Sequence, residues 1–310
     1  MPIAVPTEKS TTVRPKDWRL GSLRVAFAAL EHIAPSLAGR WALRIWCTLP
    51  GGALRRHDNR PHEGIRSDTT LADGRRIAVE IWEPSSDDGP RTRPVAEPAV
   101  RTVLLVHGWG GWRGQLGAFV DPLLDAGWRV VAFDVAGHGD SDPSLIGRGR
   151  ATAVDFIEAL TAVVARHGEP DSIVAHSLGS ATTALAVRDG VRARRLTFIA
   201  PSPDPVATTD RLEKLLGYGP RTRRRLLTHL SRLAARPLDD FNALRVSSQE
   251  DVPPALVVHD RQDTRNPYDD GVQLAEAWPE AELVSTDGLG HHRILLDRGV
   301  LKLVVDYVTT

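Results

Sequence analysis

A serine lies between two small residues in the segment AHSLG, residues 175–179. The apolar run at 173–175 predicts a buried strand, and the segment after the serine predicts a helix. Where a strand turns directly into a helix, larger side chains two residues to either side would collide with neighbouring backbone, which explains Ala175 and Gly179. Such a bend projects the Ser177 hydroxyl out of the sheet, beside the free N–H groups of a helix N-terminus.

An alcohol oxygen is a weak nucleophile at neutral pH. A reactive serine therefore needs a base that takes its proton and an acidic group that orients this base. The N–H groups of the helix N-terminus would stabilise the negative charge that develops on an attacked carbonyl oxygen. The segment thus indicates nucleophilic chemistry on a carbonyl compound.

The sequence on both sides of this serine contains short, continuous apolar runs separated by segments long enough to form helices. The runs lie at 102–108, 128–134, 172–177, 196–201, 255–260 and 281–288. Strands buried on both faces have this pattern, so the sequence predicts an α/β fold with a doubly wound, mostly parallel sheet. In such a sheet, ligands bind beyond the carboxyl ends of the strands, where Ser177 lies.

Four segments follow from this pattern. For residues 1–60 we predict an N-terminal extension with two amphipathic helices, one at 20–34 and one after Pro35. We expect these helices to pack on the core. The alternative is that they form a membrane-surface or partner-binding face. Residues 61–202 and 251–310 form the two parts of the core, and residues 203–250 form a small helical lid. We interpret four arginines of the lid as its solvated face; the alternative is that they form a rim that attracts anions. They are Arg221, Arg223, Arg224 and Arg225.

The first part of the core opens on two further patterns. Alternating apolar residues around 65–82, with Ala72, Asp73 and Gly74 between them, predict a β-hairpin. The Pro-rich stretch at 84–98 predicts an exposed loop.

The motif AHSLG resembles the nucleophile elbow of the α/β-hydrolase fold family, written small-x-Ser-x-small, with Ala175 where glycine is commoner. The resemblance covers roughly residues 100–310. It implies the order serine, acid, histidine. The segment RQDTRNP resembles the acid turn of the family, with Asp263 as the matching residue, and LGHHRIL resembles its histidine segment, with His291 as the base. Asp260, Asp204 and His292 remain alternatives.

The same resemblance implies an oxyanion hole. One N–H comes from Leu178, and the second comes from Trp109 in HGWGGWRGQ, which resembles the His-Gly-x loop of the family. The segment FDVAGHGDSD resembles another family loop, whose His138 we interpret as structural. His107 and His176 are also interpreted as structural, holding backbone polar groups beside the site.

The reaction implied is acyl transfer from a small-molecule substrate, in which Ser177 attacks a carbonyl carbon and water releases the acid. No metal and no organic cofactor is required. Trp109, Trp112 and the leucines of the predicted lid (Leu226, Leu227, Leu230 and Leu233) indicate an apolar pocket, hence a carboxylic ester with a hydrophobic part. Carbon–carbon bond hydrolysis or acyl transfer on the same triad is an alternative, as is a binding protein that has lost turnover.

Composition narrows the other classes of function. Lys plus Arg equals Asp plus Glu, so no net charge attracts nucleic acid. Cys47 is the single cysteine, which excludes an intrachain disulfide and disfavours a Cys-rich metal site. The first residues lack the pattern of a secretory signal, and charged residues interrupt each apolar stretch, so we expect a cytoplasmic protein without an integral membrane span. The oligomeric state is not predicted.

Overall fold

The computed structural model describes residues 15–50, 58–85, 100–248 and 252–310. Most of the predicted Pro-rich loop, residues 86–98, lies outside them, as do residues 1–14, on which the expectation about a secretory signal rests. The chain folds as two compact units: a helical unit from Met1–Trp46 and Ala207–Ala235, and a sheet unit from Cys47–Val206 and Arg236–Thr310.

In the described part of the sheet unit, eight strands form one sheet in the order β1-β2-β4-β3-β5-β6-β7-β8. They are β1 Ile65–Thr70, β2 Arg76–Trp82, β3 Thr102–Val106, β4 Arg129–Phe133, β5 Ser172–His176, β6 Arg195–Ile199, β7 Ala255–Asp260 and β8 Ala281–Thr286. β2 is antiparallel to β1 and β4, and all other pairs are parallel. The predicted hairpin and mostly parallel sheet are confirmed.

Helices follow most strands of the sheet unit. They are α3 Val120–Asp125, α4 Ala153–His167, α5 Leu178–Arg188, α8 Tyr268–Ala277, α9 Gly290–Arg293 and α10 Arg298–Thr309, with 3₁₀ segments at Arg113–Phe119, Leu238–Phe241 and Ala243–Ser248. Local sequence explains their starts. Thr152 and Asp155 form a reciprocal capping box at α4, and Asp297 accepts hydrogen bonds from two N–H groups at the start of α10. Val300, Val304 and Val308 recur at helical spacing and bury α10 against the sheet core.

A buried cluster of charges joins β2 to the segment after β4. The Arg113 side chain is fully buried, and its Nε donates to Glu80 at 2.7 Å. Its other nitrogens donate to both Asp134 and Asp140. Arg60 donates to Oε1 of Glu80, the carboxylate oxygen that Arg113 Nε does not contact, at 2.7 Å. Buried charges are stable only when they are paired and hydrogen-bonded, so the cluster depends on every member.

Replacing Arg113 by methionine is expected to lower the free energy of unfolding of the protein by about 3–5 kcal/mol, because the buried carboxylates of Glu80 and Asp134 would both lose the Arg113 guanidinium, and of its hydrogen-bonded arginines Glu80 would keep only Arg60. Urea unfolding followed by circular dichroism measures this change. Lys302→Ala, which removes an exposed ion pair with Asp306, is the control and should change the same free energy by less than about 1 kcal/mol. Equal losses for both variants would contradict the prediction.

The helical unit has a core of its own. Its helices are α1 Pro15–Ile33, α2 Pro35–Trp46, α6 Thr209–Leu216 and α7 Pro220–Ala234. Phe27 of α1 stacks on Trp41 of α2 with ring centroids 4.7 Å apart, and both belong to an apolar cluster that includes Leu226 of α7. The Glu31 carboxylate accepts the N–H groups of Gly219, Arg221 and Thr222 where α7 begins.

This core corrects one expectation. The two N-terminal helices were expected to pack on the core of the sheet, but their buried side chains cluster with those of α6 and α7. The helices of the predicted extension and of the predicted lid therefore form one unit, while the four bounds given above stay predictions. As expected of a solvated face, Arg221, Arg224 and Arg225 are exposed, and Arg223 pairs with Asp210.

No helix among the described residues combines the length and the apolar character that crossing a lipid bilayer requires.

Candidate active site

Ser177 occupies the bend between β5 and α5. Its φ of +55° lies in the left-handed region, which a side chain other than glycine adopts at a cost. Its N–H donates to the carbonyl of Ile199 on the neighbouring strand at 3.0 Å, which holds this backbone in place. A Cβ on Gly179 would lie 2.6 Å from the carbonyl oxygen of His107, so only glycine fits there. The predicted elbow is therefore present in the backbone.

The two predicted oxyanion donors lie on either side of this bend. Leu178 is the first residue of α5, so its N–H has no acceptor within the helix. Trp109 lies in the loop after β3, and a Cβ on the preceding Gly108 would come within 3.0 Å of the Ser177 Cβ. Gly110, next to Trp109, has a φ of +71° and donates its N–H to His138 Nε2 at 3.1 Å. These contacts bring the loop against the serine.

Asp263 and His291 form a direct pair. Nδ1 of His291 donates to Oδ2 of Asp263 at 2.7 Å, and the other carboxylate oxygen accepts the N–H groups of Arg265 and Asn266 at 2.7 and 3.0 Å. Burial alone would raise the pKa of Asp263, but hydrogen bonds from His259 and His291 hold that pKa well below its usual range. These hydrogen bonds therefore favour the ionised carboxylate.

The alternative residues contact other partners. Asp260 accepts hydrogen bonds from the Thr286 hydroxyl and from the N–H groups of Gln262 and Leu289, which ties the ends of β7 and β8 together. Asp204 accepts the N–H of Val206 and the side-chain amide of Asn242. His292 is exposed. Of the aspartates considered, the structure brings only Asp263 to His291.

Two further residues contact the site, and sequence reasoning missed both. The side-chain amide of Asn266 donates to Ser177 Oγ at 3.3 Å, whereas no hydrogen bond between Ser177 Oγ and His291 is found among the described residues. His259 is fully buried, with Nε2 3.5 Å from Asp263 Oδ2. The available signal was their position, since both lie within four residues of Asp263 in a segment recognised only for its carboxylate.

His107 and His138 support the loop that carries Trp109. Each accepts a backbone N–H through Nε2, His107 from Val135 and His138 from Gly110, both at 3.1 Å. Both rings are buried, and burial lowers the pKa of each. A protonated ring cannot accept a hydrogen bond, so the contacts require neutral imidazoles with the proton on Nδ1. Their predicted structural role is supported by this arrangement.

His176, His291 and His292 offer ring nitrogens within 4.8 Å of one another, a spacing that raises the question of a metal site. One nitrogen of His176 and one of His291 are engaged: His176 Nε2 is 3.0 Å from the carbonyl of His291, and His291 Nδ1 donates to Asp263. The second nitrogen of His176, Nδ1, is buried and has no hydrogen-bond partner among the described residues. The hydrogen bonds fix the orientation of both rings beside the elbow.

The predicted apolar pocket is wrong for two of its residues. Trp112 is buried, and the guanidinium groups of Arg60 and Arg113 lie 4.9 and 5.2 Å from its ring centroid. Leu226 is fully buried in the core of the helical unit. Trp109 is only half-buried, with its ring edge-on to His138, and it remains a candidate for substrate contact.

The neutral histidines predict that stability falls at acid pH. Below pH about 6.5 the unfolded chain binds protons at His107 and His138 that the folded chain does not bind, so the free energy of unfolding decreases as pH falls. Removing one such histidine is expected to reduce the change in the free energy of unfolding with pH by up to about 1.4 kcal/mol per pH unit. The lowered pKa of Asp263 acts in the same direction but only below pH about 4.

Urea unfolding between pH 7.5 and 5.5 compares wild type with His138→Gln, whose amide oxygen can still accept the Gly110 N–H. The variant should lose less stability over this interval than wild type. His32→Gln, at an exposed position, is the control and should keep the wild-type slope. A His138→Gln slope equal to that of wild type would show that this ring titrates normally in the folded protein.

Two family profiles match overlapping parts of the chain. One, described as alpha/beta hydrolase fold, matches residues 101–243, and the other, described as TAP-like protein, matches residues 224–310. Est1E from Butyrivibrio proteoclasticus, solved with ferulic acid bound, superposes with a TM-score of 0.57 at 20% identity over 78% of this chain and 96% of that chain. At this identity the likeness shows the fold alone.

Curated relatives match over shorter segments. The pimeloyl-[acyl-carrier protein] methyl ester esterase of Neisseria meningitidis is 34% identical over 126 residues, which cover 40% of this chain and 46% of the relative. The dihydrolipoyllysine-residue acetyltransferase component of the acetoin cleaving system of Cupriavidus necator is 33% identical over 133 residues, which cover 41% of this chain and 34% of the relative. The chain thus spans between a third and a half of the length of these two relatives.

Proposed function

We propose that this chain, which belongs to the alpha/beta-hydrolase fold family, is a serine hydrolase that cleaves a carboxylic ester through an acyl-enzyme intermediate. The observation that carries the proposal is the 2.7 Å hydrogen bond between His291 Nδ1 and Asp263 Oδ2, at the edge of the sheet where Ser177 bends out of β5. Nδ1–H bonded to a carboxylate leaves Nε2 of His291 as the basic nitrogen.

In the proposed reaction, Ser177 Oγ forms a bond to the carbonyl carbon of the ester and His291 Nε2 takes the hydroxyl proton. The carbonyl electron pair moves onto the oxygen, where the N–H groups of Trp109 and Leu178 stabilise it. The tetrahedral intermediate collapses, and the alcohol leaves with the proton from His291. Water then attacks the acyl-enzyme with His291 as base, and the acid is released. The sequence of steps needs no metal and no organic cofactor.

Asp263 supports this chemistry electrostatically. Its low pKa keeps the carboxylate charged, so it orients the ring and stabilises the imidazolium that forms twice per turnover. Each oxyanion donor contributes about 3–4 kcal/mol of transition-state stabilisation in enzymes of this type. Both donors are backbone groups held by the bend and by the loop after β3, so neither depends on side-chain identity.

The substrate class is an ester with a hydrophobic part. One comparison supports an ester: a matched relative is named as a methyl ester esterase. The half-buried ring of Trp109, one residue beyond the glycine that touches Ser177, offers an apolar surface for such a group. The name of the Cupriavidus necator relative favours acyl transfer as the second candidate, in which another acceptor replaces water.

Labelling with a fluorophosphonate probe tests the machinery without knowledge of the substrate. Wild type should be labelled at Ser177, Ser177→Ala should not be labelled, and His291→Ala should react at least about 100-fold more slowly because the base is lost. Asp263→Asn should also be slow, by up to about 10⁴-fold, since the ring loses its orienting charge.

The matched control is Asp204→Asn, the other aspartate that follows a strand, which should label like wild type. Equal labelling rates in Asp263→Asn and Asp204→Asn would contradict the assignment of the acid. Absence of labelling in wild type would contradict the proposed function as a whole.

A series of nitrophenyl esters from acetate to decanoate tests the substrate class. If the acyl chain is buried, kcat/KM should rise about fourfold for each added CH₂, which corresponds to about 0.8 kcal/mol, until the pocket is filled. Ser177→Ala measures the background rate. A labelled serine with no turnover at any chain length would favour transfer or carbon–carbon bond chemistry.

A further inference from the structure

The side-chain amide of Asn266 lies between the ends of two neighbouring strands, β5 and β6. Its Nδ2 is 2.9 Å from the carbonyl oxygen of Ala200 and 3.3 Å from Ser177 Oγ, and the residue is buried. A carbonyl oxygen can only accept a hydrogen bond, so the amide must present its nitrogen, and not its oxygen, to this site. The two amide hydrogens therefore serve the two oxygens, one each.

The main chain fixes where this amide lies. The N–H of Asn266 donates to Asp263 Oδ1 at 3.0 Å, and its carbonyl oxygen lies 3.3 Å from His259 Nε2. Ala200 has a φ of +48°, a conformation that costs a residue with a side chain about 1–2 kcal/mol. In this conformation its carbonyl oxygen accepts the Asn266 amide. Asn266 thus contacts the carboxylate through its backbone and the hydroxyl through its side chain.

The hydrogen-bonding capacity of a hydroxyl determines which group donates in this contact. The Ser177 hydroxyl has one hydrogen to donate and two lone pairs to accept with. When it accepts from Asn266, its own hydrogen remains available for His291. As that proton leaves, negative charge grows on Oγ, and a hydrogen bond to a charged oxygen is about twice as strong as one to a neutral oxygen. An interaction that strengthens towards the transition state lowers the barrier.

We propose that Asn266 is a further catalytic residue, whose Nδ2–H holds Ser177 Oγ in the resting protein and stabilises the charge on that oxygen during both halves of the reaction. In the first half, the bond from Oγ to the acyl carbon forms as the hydroxyl proton moves to His291. In the second half, that bond breaks and Oγ takes the proton back. This role rests on the proposed function, in which Ser177 is the nucleophile.

The test compares Asn266→Leu, which keeps the size of the side chain and removes both amide hydrogens, with Asn242→Leu. Asn242 is a matched control because its amide also donates to an oxygen, Asp204 Oδ2 at 3.3 Å, outside the contacts of Ser177. The measurements are the second-order rate of fluorophosphonate labelling, kcat and KM for a nitrophenyl ester, and the melting temperature.

Asn266→Leu should lower the labelling rate and kcat by about 10- to 100-fold, below the effect of a full oxyanion donor because the resting contact is long, while KM changes by less than about threefold. Asn242→Leu should label at the wild-type rate. If Asn266→Leu does not fold, Asn266→Ser takes its place, since the shorter polar side chain does not reach Ser177 Oγ.

A wild-type labelling rate in the folded Asn266 variant, with only the melting temperature lowered, would overturn the role of Asn266 and leave the proposed function intact. Failure of wild type itself to be labelled would overturn the proposed function first. A fall in kcat matched by an equal fall for Asn242→Leu would show a general loss of packing and would also overturn the role of Asn266.

Discussion

The left-handed backbone of Ser177 is the constraint on which the rest of the sheet unit depends. A side chain in this conformation is strained, so the surrounding structure must hold it. The hydrogen bond from its N–H to Ile199 does so from one side, and the absence of side chains at Gly108 and Gly179 makes room on the others. The same bend aims the hydroxyl away from the sheet and starts α5 directly behind it. One local conformation therefore determines the position of the hydroxyl and of the nearest N–H donors.

Parallel strands then bring the remaining groups to the same edge. The loop after β3 supplies Trp109, the turn after β7 supplies Asp263 and Asn266, and the segment after β8 supplies His291. Two sets of buried polar groups near this edge are satisfied in different ways. The arginine cluster around Glu80 keeps full charges and pairs them, whereas His107 and His138 stay neutral and accept backbone N–H groups. Neutral rings suit this loop, because a protonated ring could not accept the backbone N–H groups that hold the loop in place.

Local patterns predicted the strands and the hairpin, because buried strands and turn residues follow from neighbouring residue types, whereas the order Ser177, Asp263, His291 was implied by the resemblance to the family. The observed strands begin within one residue of the predicted runs. The errors lie where partners are distant in the sequence. An aromatic residue such as Trp112 indicates burial but not its neighbours, and here the neighbours are two arginines. Asn266 could not be assigned from its type, since its role depends on the carbonyl of Ala200, whose direction follows from an unusual backbone angle.

The helical unit is assembled from two stretches of chain that the first part of the sheet unit, residues 47–206, separates. During synthesis at roughly 5–20 residues per second, α1 and α2 are complete roughly 10–40 s before α7 is. In that interval Phe27 and Trp41 have each other as neighbours, but the apolar cluster lacks the contacts that Leu212 and Leu226 later supply. The part of α1 and α2 that α6 and α7 later cover is therefore exposed to solvent through most of the translation of the chain.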